Sequence, residues 1–143
     1  MYTITPYTDK AVKEICYDCG SPVAKQSYNY FRRMHFVTGG KVWSNEWSKV
    51  WSKGDTPVAF YYASRCKDHC RLIEIAVRSE FKRQGLGKTV LYELLAQMKA
   101  NGLYKLTFRT PIAEDAQNFW LHMGARIVDV KGSDYEMELT IKQ

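Results

Sequence analysis

The segment Lys82-Arg83-Gln84-Gly85-Leu86-Gly87-Lys88 sets two glycines among three cations, between an apolar run that ends at Val77 and a stretch of helical periodicity. The first amides of a helix lack partners and the macrodipole is positive there, so an anion is favoured. Gly85 and Gly87 carry no Cβ and let a pyrophosphate approach those amides closely, while Lys82, Arg83 and Lys88 add positive charge around it. Between Arg78 and Lys88 the only opposing charge is Glu80. A tight turn before a helix is the plainer reading of two glycines, and the basic surroundings weigh against it. Two other phosphate loops fail on spacing. A Walker A loop ending at Gly87-Lys88-Thr89 needs a glycine where Lys82 stands, and a dinucleotide fingerprint needs one where Val90 stands.

Glu74 is the one acidic residue inside the apolar run. Partial burial raises a carboxyl group toward the range useful for proton abstraction near neutral pH, which makes Glu74 the candidate base; pairing with an arginine or ordering a water is the other reading. The four cysteines stand as Cys16-x-x-Cys19 and Cys66-x-x-x-Cys70. A thiolate cluster suits zinc, but Cys16 and Cys19 share a helical stripe with Val12 and Ile15, where free cysteine packs as a small hydrophobe, and no metal is expected. His35, His69 and His122 share no motif, and His122 lies off the apolar stripe of its segment.

These residues need elements to position them. Tyr2 to Thr8 reads as a strand, and Asp9 to Cys19 as a helix stopped by Gly20-Ser21-Pro22. A second helix is expected from Ser27, with Tyr28, Phe31 and His35 on one face and a break at Thr38-Gly39-Gly40. Trp43, Trp47 and Trp51 are four apart, a spacing that keeps one face in a helix or a strand alike. Pro57–Ser64 and Cys70–Val77 read as a hairpin around a polar turn, and the second strand, almost wholly apolar, is expected to be central and covered on both faces. Lys88 to Asn101 is a helix with Val90, Leu91, Leu94, Leu95 and Met98 inward, and Leu103 to Pro111 a strand, so the two flanking strands run parallel. Ala116, Phe119, Trp120 and Met123 mark a short helix, and Arg126–Lys131 with Tyr135 to Ile141 a last hairpin around Gly132-Ser133-Asp134.

A chain of 143 residues, 45% hydrophobic and 25% charged, fits one globular domain over residues 1–143 and is too apolar for a disordered chain. The longest apolar stretch, Val58 to Ala63, falls far short of a membrane span, and the charged N-terminal residues do not form an export signal, so a cytoplasmic location is expected. The formal charge of +6 allows binding to nucleic acid but equally suits a phosphorylated small molecule.

The loop resembles the pyrophosphate loop of the GNAT superfamily of N-acetyltransferases, [Gln/Arg]-x-x-Gly-x-[Gly/Ala], on Lys82, Gly85 and Gly87, with Lys for the usual Gln or Arg. Glu74-Ile75-Ala76-Val77-Arg78 is similar to that family's central strand. Ala116-x-x-Phe119-Trp120-x-x-x-Gly124-Ala125 is similar to its Ala-x-x-[Leu/Phe]-Tyr-x-x-x-Gly-Phe helix. The resemblance implies an α/β (α+β) fold with a mixed, mostly antiparallel sheet, a central β-α-β unit and helices on both faces. It implies acetyl-CoA as acyl donor, with the pantetheine arm along Ile75, Ala76 and Val77, the pyrophosphate on Lys82, Arg83, Gln84, Gly85, Leu86, Gly87 and Lys88, and Trp120 near the thiol. The implied reaction is direct attack of a primary amine on the thioester, with Glu74 as base and a strand N–H for the oxyanion. Trp120 departs from the usual Tyr, and an indole does not give up its proton as a general acid must. Ala113 stands where the family often has Asn. A CoA-binding module without turnover is the alternative, and a basic nucleic-acid-binding domain a lesser one. The acceptor is expected on the N-terminal half, where Trp43, Trp47, Trp51, Tyr61 and Tyr62 form either an aromatic wall for a cationic amine or core. The C-terminal hairpin offers an edge through which a homodimer could form.

Overall fold

A computed structural model describes residues 1–5, 8–19, 25, 28–29, 46–112 and 116–142. Among these, seven strands form one sheet: β1 (Thr3–Thr5), β2 (Ser48–Lys53), β3 (Thr56–Arg65), β4 (Cys70–Val77), β5 (Lys105–Pro111), β6 (Arg126–Lys131) and β7 (Asp134–Thr140), in spatial order β1-β2-β3-β4-β5-β7-β6. The helices are α1 (Asp9–Asp18), α2 (Leu86–Ala100) and α3 (Ala116–His122), with a 3-10 turn over Ser79–Phe81. The strand with the apolar run is the fourth of the seven, as its composition requires. The β4–β5 pair is parallel, while β1–β2, β2–β3, β5–β7 and β6–β7 are antiparallel.

The chain divides into two compact units, Met1–Ala63 with Glu74–Leu94, and Ser64–Ile73 with Leu95–Gln143. In the first, α1 starts where Thr8 leaves extended geometry and its hydroxyl accepts the Ala11 N–H at 3.2 Å, a cap that contributes about 1 kcal/mol. Of the expected strand from Tyr2 to Thr8, Thr3–Thr5 pairs with β2 among the described residues, and Thr8 caps the helix. Val12, Ile15 and Cys16 are buried on one stripe of α1 and form a core cluster with Tyr28, Val50, Phe60, Tyr62 and Ala76. Each aliphatic side chain fully removed from water there contributes about 2 kcal/mol. The Tyr28 hydroxyl donates to the Asp9 carboxylate at 3.0 Å. The ambiguity resolves as a strand at Trp51, because β2 is paired on both sides, while Trp47 lies in the turn just before it. Trp47, Trp51, Tyr61 and Tyr62 are all buried, so they are core and not an exposed wall; Trp43, Phe31 and His35 lie outside the described residues.

In the second unit the C-terminal hairpin inserts β7 beside β5, in register from Lys105↔Thr140 to Pro111↔Asp134, and leaves β6 at the sheet edge. Leu106 and Phe108 of β5 and Met137 and Leu139 of β7 fill the buried face. The opposite face is charged: Arg71 grips Glu136 with both terminal nitrogens, at 2.5 and 3.0 Å, and Arg109 lies 3.5 Å from the same carboxylate. Burial alone would raise the Glu136 carboxyl, and the Arg71 hydrogen bonds and charge, with Arg109, outweigh it and hold it below the usual carboxylate range. β6 is exposed along its whole length and bulged between Ile127 and Asp129, and the Asp129 carboxylate accepts the Val130 N–H at 2.8 Å. Covering β4 on both faces was the expectation from its apolar run. Ile73, at 38% exposure, shows that one position is open. Among the described residues no helix is long and apolar enough to cross a membrane.

Candidate functional site

β4 and the loop that follows it hold most of the candidate residues. The parallel ladder between β4 and β5 comprises Cys70↔Leu106 and Arg71↔Thr107, although β4 continues to Val77. On its other side β4 forms a hairpin with β3. The Cys66 N–H donates to the His69 carbonyl at 2.9 Å beside the turn, and the Arg78 N–H to the Val58 carbonyl at 2.8 Å at the far end. Between these bonds β4 has one residue more than β3, the mark of a β-bulge. Ala76 packs in the α1 cluster and Arg78 reaches Asp18 of α1, so alternation is intact over that stretch and the extra residue lies before Ala76. It follows that Ala76, like Arg78, turns its N–H and C=O to β3, while Ile75 and Val77 turn theirs away from β3, beyond the last ladder pair. The bulge and the short ladder thus leave strand backbone available to a ligand with amide groups, a feature that residue types alone do not reveal.

Glu74 sits half-buried on β4, and its carboxylate accepts the Ile75 N–H at 3.1 Å. That bond orients the carboxylate at the strand's unladdered side. Burial pushes the Cys16 thiol far above its ordinary range, and the nearby Glu74 and Cys19 push it further. Glu74 therefore lies within electrostatic reach of α1's inner face. Burial likewise pushes the Cys70 thiol up to about 12, with Cys66 adding to it. Neither thiol is a nucleophile near neutral pH. All four cysteines are free, and among the described residues no group of histidine, cysteine and carboxylate side chains is placed to hold a metal ion.

After Val77 the chain makes the 3-10 turn and enters α2. Phe81 and Lys82 donate to the carbonyls of Arg78 and Ser79 at 2.9 and 3.3 Å. The next amide with a well-formed backbone bond is that of Thr89, to the Gly85 carbonyl at 3.1 Å; residues 82–85 form a turn, and among the described residues the N–H groups of residues 83–88 make no backbone bond of good geometry. Lys82, Arg83, Gln84, Gly85 and Lys88 are exposed, Gly87 is half-buried, and Leu86 is anchored at 2% exposure. Leu86 can thus offer a ligand only its backbone. α2 starts two residues earlier than the apolar stripe predicts, which brings Gly87 inside its first turn. Gly85 has φ +76° and a Cβ there would meet nothing within 4 Å. Arg83 also adopts positive φ, +66°, a conformation costing a non-glycine residue about 1 kcal/mol. Bare amides, a left-handed bend and open space together suit a pyrophosphate.

The cations around the loop point in different directions. Lys82 donates its Nζ to the Cys19 carbonyl, away from the loop amides, and Gln84 donates to the Glu80 carbonyl at 3.2 Å. Lys88 lies over the Tyr92 ring at 5.6 Å, within the range of a cation–π contact. In the second unit Trp120 is 4% exposed, with its ring centroid 4.0 Å from that of Phe108 and 5.2 Å from that of Phe119. Its bulk is core packing, as the stripe it shares with Phe119 and Met123 allows. His122 is exposed, as expected, and Ala113 lies outside the described residues.

The central strand of a mixed sheet leads through a glycine loop into a helix, in an α/β domain. The acetyltransferase (GNAT) family model matches residues 12–125, and the chain belongs to that family. No curated protein sequence matches it. In fold it is similar to PaiA N-acetyltransferase from Thermoplasma acidophilum in complex with coenzyme A, at TM-score 0.79 and 15% identity, covering 98% of this chain and 99% of that one. It is similar to Ard1 from Thermoplasma volcanium, at 0.79 and 17%, covering 99% of each. The ribosomal-protein-S18-alanine N-acetyltransferase from Escherichia coli gives 0.75 and 18%, covering 100% of this chain and 96% of that one. Membership implies acyl transfer from acetyl-CoA.

Proposed function

We propose that this chain moves an acetyl group from acetyl-CoA to a primary amine by direct attack on the thioester. The observation that carries the reading is the row of amides over residues 83–88 at the exposed mouth of α2, which among the described residues make no backbone bond of good geometry. A coenzyme A pyrophosphate there accepts several backbone hydrogen bonds at once and gains from the helix dipole. The pantetheine amides align with the Ile75 and Val77 backbone in the manner of an added strand, and Ala76, whose polar groups face β3, supplies surface only. Acetyl-CoA supplies an activated acyl group on a sulfur that leaves as a thiolate.

Glu74 takes the proton that the attacking ammonium must lose, which frees the nitrogen lone pair. The Ile75 N–H holds the carboxylate in place. The N–H of Val77, in the unladdered part of β4, stabilises the oxyanion. The indole of Trp120 gives no proton, and a thiol with pKa about 8.5 departs without one near neutral pH. The test is calorimetry with acetyl-CoA, then release of free thiol across a panel of amines. Micromolar binding with thiol release for a primary amine is expected. Absence of binding at millimolar acetyl-CoA would overturn the reading, and binding with no release for any amine would replace it with a CoA-binding module.

A further inference from the structure

α1 ends with no basic residue in its last turn, although the negative end of the helix dipole favours a cation there; locally the Cys19 thiol donates to the Cys16 carbonyl at 3.4 Å. Three side chains from the segment after β4, some sixty residues on, converge there. Arg78 donates Nε to the Asp18 carboxylate at 2.8 Å, Ser79 donates its hydroxyl to the Asp18 carbonyl, and Lys82 donates Nζ to the Cys19 carbonyl. Arg78 is tied further, by its guanidinium to the Pro57 carbonyl at 3.1 Å and by its N–H to the Val58 carbonyl, while Glu14 and Glu80 lie 3.8 Å from it. The loop is therefore pinned on both sides of its left-handed bend: by this cluster before Arg83 and by buried Leu86 after it. Between the two pins lie the free amides and a non-glycine residue held at positive φ, which persists only where neighbours over-determine it.

We propose that Asp18 is a positioning residue for the acyl-CoA loop, acting through Arg78, and that the C-terminus of α1 is the anchor on which the loop's free amides are held open. This rests on the acyl-CoA reading above. It also reassigns Lys82, whose cation completes the helix end and acts on the phosphates only at a distance. The Asp18–Arg78 pair is half-exposed, and such pairs contribute little to global stability, so its loss is felt locally.

The test uses the full chain and three variants, Asp18→Asn, Asp18→Glu and Glu80→Gln, with coenzyme A calorimetry, hydrogen exchange of the unliganded protein and thermal melting. Asp18→Asn is expected to raise the coenzyme A Kd about tenfold, the scale of a lost charge-assisted hydrogen bond, and to speed exchange over residues 83–88. Its melting temperature should stay within a few degrees of the starting protein. KM for acetyl-CoA rises with Kd while kcat at saturation holds. Asp18→Glu restores most of the affinity, and Glu80→Gln, whose carboxylate lies farther from Arg78 at 3.8 Å, weakens binding less than Asp18→Asn does. Unchanged exchange or unchanged affinity in a folded Asp18→Asn overturns the proposal, as does failure of Asp18→Glu to restore either. If Asp18→Asn does not fold, Arg78→Lys is read by the same two criteria. Failure of the unaltered chain to bind coenzyme A overturns the acyl-CoA reading itself and this proposal with it, whereas binding that Asp18→Asn leaves intact overturns the positioning role alone.

Discussion

Replacing Gly85 by Asn and by Asp separates the shape of the loop from its electrostatics. Gly85 holds φ +76°, and a Cβ added there meets nothing within 4 Å, so the protein itself resists substitution only through backbone strain. For alanine that strain is about 1–2 kcal/mol, or a fall of about 2–6 °C in melting temperature for a chain this size. Asn and Asp visit the left-handed region more readily and should melt closer to the starting protein. The two are nearly isosteric and differ by one charge. A carboxylate about 6 Å from a pyrophosphate carrying about two negative charges opposes it by about 1.4 kcal/mol in water. At about 0.01 M ionic strength, where the screening length is about 30 Å, most of this survives. Gly85→Asp should therefore bind coenzyme A roughly five- to tenfold more weakly than Gly85→Asn, and the gap should narrow as salt is raised toward 0.15 M. The assay is calorimetric titration of both variants at the two ionic strengths, with melting curves as a folding control. Equal affinities at low salt, with both variants folded, would mean that no anion sits at the mouth of α2.

Glu74→Gln keeps an acceptor for the Ile75 N–H but removes the base; thiol release at saturating acetyl-CoA should fall by about 10²-fold or more while coenzyme A affinity stays within about twofold. Trp120→Ala deletes the ring packed 4.0 Å from Phe108 and should cost about 3–5 kcal/mol in urea unfolding, a loss a merely exposed thiol-side residue would not show. The Glu136 carboxyl is held low in the folded chain, so its contribution is present above the unfolded carboxylate pKa and is lost as pH falls through the lower folded value. Acid titration of unfolding free energy should be steeper below about pH 5 for the unaltered chain than for Glu136→Gln, and identical slopes would remove Glu136 from the account.

Some of this was readable in the residues and some was not. Gly85, Gly87 and the cations flanking them point to an anion loop because helix-end amides and glycine conformations are local properties. β4 announced its central place because a run such as Leu72-Ile73-Glu74-Ile75-Ala76-Val77 has few other homes. Directions of long side chains were hidden, since the partner of Lys82 is a carbonyl at Cys19, far away in sequence. The same holds for the state of the segment around Trp51, which pairing with β1 and β3 decided and periodicity did not. The placement of β7 between β5 and β6 was closed as well, because a hairpin pattern does not say which of its two strands joins the sheet. The bulge in β4 has no residue signature; it appears only when the hydrogen bonds at the two hairpin ends are compared.

The rim strand β6 has a consequence for how this protein behaves in crowded solution. Its aliphatic residues Ile127, Val128 and Val130 face water, a composition that invites another chain to zip alongside. Yet the Val130 donor is stoppered by the carboxylate one residue before it, and the kink at Ile127 twists the strand out of a straight template. An incoming strand would have to dislodge Asp129 and flatten that kink before its first new bond formed. The chain can therefore wear a greasy border at modest risk of runaway fibre growth, and Asp129→Ala is the change that would take away the guard.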